Sequence, residues 1–279
     1  MKEQTKRLRR LGLLLAAAGI CAALLGGCGH KAEPQAESTA ALPEILVGSD
    51  NYPPFNYLDV DGAPTGIDVD LATEAFRRMG YQAKFVTIDW EDKKTLVENG
   101  SIDCIWGSFP MDGRADEYTW AGPYMASYQV VAVRTDSDIY TLQDLAGKTL
   151  AVQSTTKPEA LFLEHTDPRL PQLRALYSLQ DRDLIYPTLI KGYADALAAH
   201  DTAIQQFMTD YSVQYRILDE PLEVVGLGVA FARTDQRGIA QQLTQTFVQM
   251  RADGTMREIL AKYLEDPERY LQPLEVSQP

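Results

Sequence analysis

Residues 70–87, DLATEAFRRMGYQAKFVT, decide the fold. Leu71, Ala72, Ala75, Phe76 and Met79 recur at the spacing of one helical face, Gly80 supplies a stop, and Ala83 to Thr87 resumes as a strand. Upstream, Ile45 to Gly48 reads as a strand. Downstream, a helix from about Glu91 to Glu98 and a strand over Ile102 to Trp106 continue the alternation, the rhythm of strands joined by crossover helices.

Tyr128 to Arg134 reads as a further strand. After the polar Thr135-Asp136-Ser137-Asp138 the alternation starts afresh, with strands expected at Leu150 to Gln153, Tyr193 to Leu197 and Val213 to Leu218 and helices near Pro158 to Leu163 and Asp181 to Ile190. The apolar run Val224 to Ala232 then returns the chain to the first unit, which Ile239 to Met250 and Met256 to Leu264 close as helices. The expected architecture is therefore α/β with two lobes, two strands crossing between them as a hinge, and a central cleft in which something small is held by lobe closure.

The chain opens with Lys6, Arg7, Arg9 and Arg10, then an apolar stretch from Leu11 to Leu25 that is shorter than the roughly 20 residues a spanning helix needs. The stretch ends Leu24-Leu25-Gly26-Gly27-Cys28, which resembles the lipobox of bacterial lipoproteins. The resemblance implies an export signal over 1–27, lipidation of Cys28, anchorage to the bacterial cell membrane on its extracytoplasmic side, and a tether over 28–43. The formal net charge of -13 argues against nucleic acid as a partner, because phosphate backbones attract clusters of Lys and Arg. Cys21 falls in the signal and Cys28 at the lipid site. Cys104 is left as the free thiol, so the fold must be held by its core.

Gly48-Ser49-Asp50-Asn51-Tyr52-Pro53-Pro54-Phe55, Gly66-Ile67-Asp68-Val69-Asp70-Leu71, Asp89-Trp90 and Gly107 through Arg114 resemble the family 3 extracellular solute-binding proteins, the amino-acid-binding components of ATP-driven importers. Gly147-Lys148, Gln153-Ser154-Thr155-Thr156, Gly192-Tyr193-Ala194-Asp195-Ala196 and Asp253-Gly254-Thr255 continue the likeness in the same order. The resemblance implies a two-lobed periplasmic-binding-protein-like fold of type II. It places Arg114 at the ligand carboxylate, where a guanidinium fork makes two parallel hydrogen bonds that lysine cannot copy. Asp201 falls at the position that receives the ligand ammonium; by its own context it also reads as a helix N-cap before Thr202 to Met208. Tyr52 and Trp90 match rings that sandwich the ligand, with core packing the alternative for each. Asp50 matches a residue facing polar ligand groups or acting as a cap. Gly107 would offer its carbonyl to the ammonium, and Thr155 and Thr156 would offer amide hydrogens to the carboxylate at a helix start. Ser108, Gln153 and His200 complete the candidate set.

Two departures stand out. Phe109 occupies a position where relatives carry threonine, which points to a bulkier or less polar ligand, and Ser154-Thr155-Thr156 replaces a Ser-Gly-Thr loop. The expected function is capture of an amino acid or related zwitterion and its delivery to a permease and its ATPase, by a monomer with no cofactor, metal or catalytic residue. A cyclohexadienyl dehydratase shares the fold and would need an acid, Asp50 or Asp201, to protonate a leaving hydroxyl. A ligand-sensing module is a third class, less expected because the chain ends soon after Tyr263-Leu264. The expected organisation is 44–134 with 224–272 as the first lobe, 135–223 as the second, and 273–279 as a tail.

Overall fold

A computed structural model describes residues 41–165 and 167–272; the export signal, Cys28, most of the tether and the tail lie outside them. The first elements are β1 (Glu44–Ser49), β2 (Tyr57–Leu58), β3 (Pro64–Thr65), α1 (Ile67–Arg78), β4 (Gln82–Thr87), α2 (Lys93–Glu98), β5 (Cys104–Pro110) and β6 (Tyr118–Arg134). There follow β7 (Thr149–Gln153), α3 (Lys157–Glu164), β8 (Ala175–Leu179), α4 (Ile185–Ile190), β9 (Ala196–His200), α5 (Asp201–Asp210) and β10 (Tyr215–Ile217). The chain returns through β11 (Glu223–Ala232) to α6 (Ile239–Ala252), α7 (Thr255–Leu260) and α8 (Pro267–Leu271).

Helix α1 forms as its sequence dictates. Leu71, Ala72, Ala75 and Phe76 are buried, Asp68 and Asp70 sit in the first turn, and Arg77 and Arg78 sit in the last, each charge favoured by the helix dipole. Gly80 ends it at φ +81°, a backbone that glycine adopts without a Cβ penalty.

The strands run in the order β4-β1-β5-β11-β6-β9-β7-β8, with β10 also on β6. β1 pairs in parallel with β4 and β5, and β7 in parallel with β8 and β9, each parallel set joined by crossover helices. The two sets meet through β6 and β11. Glu223 to Ala232 lie antiparallel along Gln129 to Tyr118, while Gln129 to Val133 pair with His200 to Ala196. β6 runs for 17 residues, so one strand serves both sets and each core builds on a different half of it. Ile45, Val47, Phe76, Trp106 and Phe247 belong to one buried cluster; Val131, Val133, Leu150 and Ala198 belong to another. The fold is the two-lobed, two-hinge-strand architecture expected.

Several boundaries differ from the sequence reading. β5 continues past Trp106 to Pro110, since Gly107 and Ser108 are as buried as the apolar residues before them. β6 begins at Tyr118, well before Tyr128. β9 starts at Ala196 because Tyr193 is exposed in the turn ahead of it.

Candidate ligand-binding site

The end of β5 builds one wall of the cleft. Phe109 stands edge-on to Trp90, ring centroids 5.3 Å apart, and packs against Trp120 at 5.1 Å. Arg114 lies just beyond, its guanidinium 5.2 Å from the Phe109 ring centroid and its Nη1 donating to the Pro110 carbonyl at 3.3 Å. Among the described residues no carboxylate stands within 4.0 Å of it. Burial pulls its pKa below the usual guanidinium value.

The facing wall comes from the other parallel set: Gln153 at the end of β7, Thr155 and Thr156 in the turn into α3, and the end of β9. Thr155 adopts φ +55°, the left-handed backbone a glycine would take at no cost. Its amide donates to Glu159 Oε2 at 2.6 Å, and its Oγ1 accepts from Lys93 Nζ at 2.8 Å. Lys93 also donates to the Trp90 carbonyl at 3.0 Å and lies 4.8 Å over the Trp90 ring. Burial first, then the nearby Arg114, lowers its pKa to about 8. Thr156 precedes α3 in extended conformation, its hydroxyl donating to the Gln153 carbonyl at 2.6 Å.

At the hinge, His200 is buried with Ser127 Oγ 2.7 Å from Nδ1 and Gln129 Nε2 2.9 Å from Nε2. The neutral ring protonated on Nδ1 satisfies both neighbours. Burial, reinforced by Arg182, pushes its pKa down to about 3. The Arg182 guanidinium covers the Tyr52 ring at 3.2 Å and donates to Asp50 Oδ2 from Nε and Nη2, each at 3.2 Å. Gln153 Nε2 reaches the same oxygen at 2.9 Å.

These walls line a cleft whose empty space, open solvent included, is about 390 Å³. The structure brings Tyr52, Trp90, Ser108, Phe109 and Arg114 to it from one side, and Gln153, Thr155, Thr156 and His200 from the other. Several of their polar atoms are buried without a partner: Tyr52 Oη, Trp90 Nε1, Ser108 Oγ and Gln153 Oε1. Such atoms carry a desolvation penalty until something bonds to them.

Three expected residues are placed elsewhere. Asp50 lines an adjoining cavity and its Oδ2 is engaged by Arg182 and Gln153. Gly107 stays off the cavity wall; a Cβ there would run into Ser49 and come within 3.2 Å of the Trp90 ring, so its bareness serves packing. Asp201 is the first residue of α5 rather than its N-cap, and its carboxylate turns away from the cavity. Its Oδ2 accepts from Tyr270 Oη at 3.0 Å and faces Arg269 Nη2 at 3.3 Å, while Oδ1 accepts from the Thr202 amide at 2.8 Å. Tyr270 and the half-exposed Arg269 of α8 thus hold the acid expected to meet a ligand ammonium.

Sequence reasoning missed Gln129, Lys157 and Arg182 on the wall and Lys93 behind it. Gln129 was detectable as a polar residue at the head of the apolar strand Val130 to Val133. Arg182 meets Asp50 only through the tertiary fold.

A match to the bacterial extracellular solute-binding proteins, family 3, spans residues 45–266, and the chain belongs to that family. The histidine-binding periplasmic protein of Escherichia coli (strain K12) is 30% identical over 237 residues, covering 81% of this chain and 90% of that protein. Among solved structures, the substrate binding protein of an ABC uptake transporter from Streptococcus pneumoniae, with bound histidine, superposes with a TM-score of 0.73 at 24% identity over 80% of this chain and 92% of the other. A substrate binding protein of an amino acid ABC transporter superposes with a TM-score of 0.71 at 24% identity, over 80% and 99%.

Proposed function

We propose that this chain captures an amino acid or closely related carboxylate in the cleft and delivers it to the permease of an ATP-driven importer. The observation that carries the reading is Arg114: a partly buried guanidinium on the cavity wall with no carboxylate within 4.0 Å among the described residues. A guanidinium in that state is completed by a planar anion brought from outside, which it grips with two parallel hydrogen bonds. In this reading 44–134 with 224–272 and 135–223 are the two lobes. Bonds such as Asp50 to Arg182 and Lys93 to Thr155 join them across the cleft. Ligand binding favours the closed arrangement, and the transporter releases the ligand by separating the lobes. Removal of 1–27 and lipidation of Cys28 would keep the protein at the extracytoplasmic face of the cell membrane, with 28–43 as its tether and 273–279 as a tail. A dehydratase would need an acid free to act on the ligand; Asp201 is held by Tyr270 and Arg269 and Asp50 by Arg182, so binding without turnover is the better supported reading.

Thermal melting of the protein against a panel of amino acids tests it. A ligand that binds only the folded chain raises the midpoint in proportion to the logarithm of its concentration. We expect such a shift with at least one α-carboxylate and its loss in Arg114→Ala. A shift of equal size in the variant would remove Arg114 from the site.

A further inference from the structure

We propose that the ligand of this cleft carries net negative charge. The inference rests on the reading that the cleft takes a small carboxylate, and it narrows the class. Its basis is an inventory of the charges around the cavity. Among the described residues the carboxylates near the walls each have a partner on at least one oxygen, those of the solvent-facing Glu159 and Glu91 being neutral donors, while Asp50 Oδ1 is buried without one. Asp50 is bonded by Arg182 and Gln153, Glu223 faces Lys157 at 3.4 Å, Glu159 accepts the Thr155 amide and Glu91 accepts from Ser154 Oγ at 2.5 Å. Asp201 is held behind the cleft by Tyr270 and Arg269.

Among the described residues two cations near the cavity have no carboxylate within 4.0 Å. Arg114 has only the Pro110 carbonyl, and Lys93 has only the Trp90 carbonyl and the Thr155 oxygens. Buried positive charge without a counter-charge is unfavourable, and a zwitterion, whose carboxylate is offset by its own ammonium, leaves the excess unchanged. The aromatic faces do not favour a ligand ammonium either. Arg182 covers Tyr52, Lys93 stands over Trp90 and Arg114 over Phe109, so a further cation would meet like charge at each ring. The partnerless Tyr52 Oη, Ser108 Oγ and Gln129 Oε1 can hold an amine by neutral acceptors, but they bring no compensating charge. Excess negative charge can come from a second carboxylate on an amino acid or from a carboxylate without an amine.

Calorimetry and thermal melting on the full-length protein, with matched ligands, separate these cases. The probes are L-glutamate against L-glutamine, 2-oxoglutarate against L-glutamate, phenylpyruvate against L-phenylalanine, and L-arginine as the cationic member. The more negative member of at least one pair should bind about tenfold tighter than its isostere, and Lys93→Met should shrink that preference several-fold while the variant stays folded. Preference for glutamate assigns the charge to a second carboxylate; preference for a keto acid assigns it to the missing ammonium. Tightest binding of a neutral or cationic amino acid overturns the charge inference while leaving the carboxylate site intact. Absence of a shift with every member overturns the site as well.

Discussion

Ser108 shows how a residue can serve the site at the expense of the fold. Its backbone sits at φ +51°, its amide donates to Asp68 Oδ2 at 2.7 Å, and its Oγ is buried without a partner. A side chain in the left-handed region and an unbonded buried hydroxyl are each unfavourable, together by roughly 1–3 kcal/mol, and only the amide has a bond in the core. The hydroxyl instead faces the cavity. Ser108→Gly removes both penalties and adds the greater chain entropy of glycine when unfolded, so we expect it to stabilise the protein by about 1 kcal/mol, or roughly 2–4 °C in melting midpoint. The same variant should lose ligand affinity. Differential scanning calorimetry with and without ligand reads both effects, and a lower midpoint in the free variant would show that the hydroxyl supports the fold instead.

At the scale of elements, the start of α5, the hinge strand β6 and the short α8 are fastened together behind the cleft. Arg269 lies 4.1 Å over the Tyr128 ring of β6 and faces Asp201 of α5, while Tyr270 bonds the same carboxylate. Burial raises the pKa of Asp201 in spite of these partners, so its charge is only partly compensated. Asp201→Asn keeps the shape and should lie within about 1 kcal/mol of the wild type, whereas Asp201→Ala leaves Tyr270 and the Thr202 amide unbonded and should cost about 1–3 kcal/mol. Urea unfolding measures the stabilities, and affinity within about twofold of wild type in Asp201→Asn is expected of a residue that never touches ligand. The sequence spoke clearly where an element was amphipathic or continuously apolar, as in α1 and β11. It was silent at β8, where none of Ala175 to Leu179 is fully buried, and at α8, whose five residues are too few for a periodic face. The aromatic and threonine side of the site was legible because local motifs carry it. The Asp50–Arg182 pair was not, since its members lie 132 positions apart and only the closed fold joins them.

For the whole molecule, two buried groups beside the hinge give stability opposite dependences on pH. Burial lifts the pKa of Asp68 from 3.8 to about 7, although Tyr124 and the Ser108 amide pull it down by bonding the carboxylate. The folded state therefore holds a proton that the unfolded state has lost, and stability declines as pH rises from 3.8 towards 7. His200 acts the other way. Its pKa falls from 6.5 to about 3, so the unfolded chain binds the extra proton and stability grows as pH rises between those values. The windows overlap from 3.8 to 6.5, where the slopes of these two groups oppose. Each substitution should expose the slope of the residue that remains. In ligand-free melts across the overlap, the midpoint of Asp68→Asn should climb with pH more steeply than the wild type, and that of His200→Gln should fall relative to it. Parallel profiles for all three proteins would mean that neither group changes its protonation on folding, and would remove both from the account of the hinge.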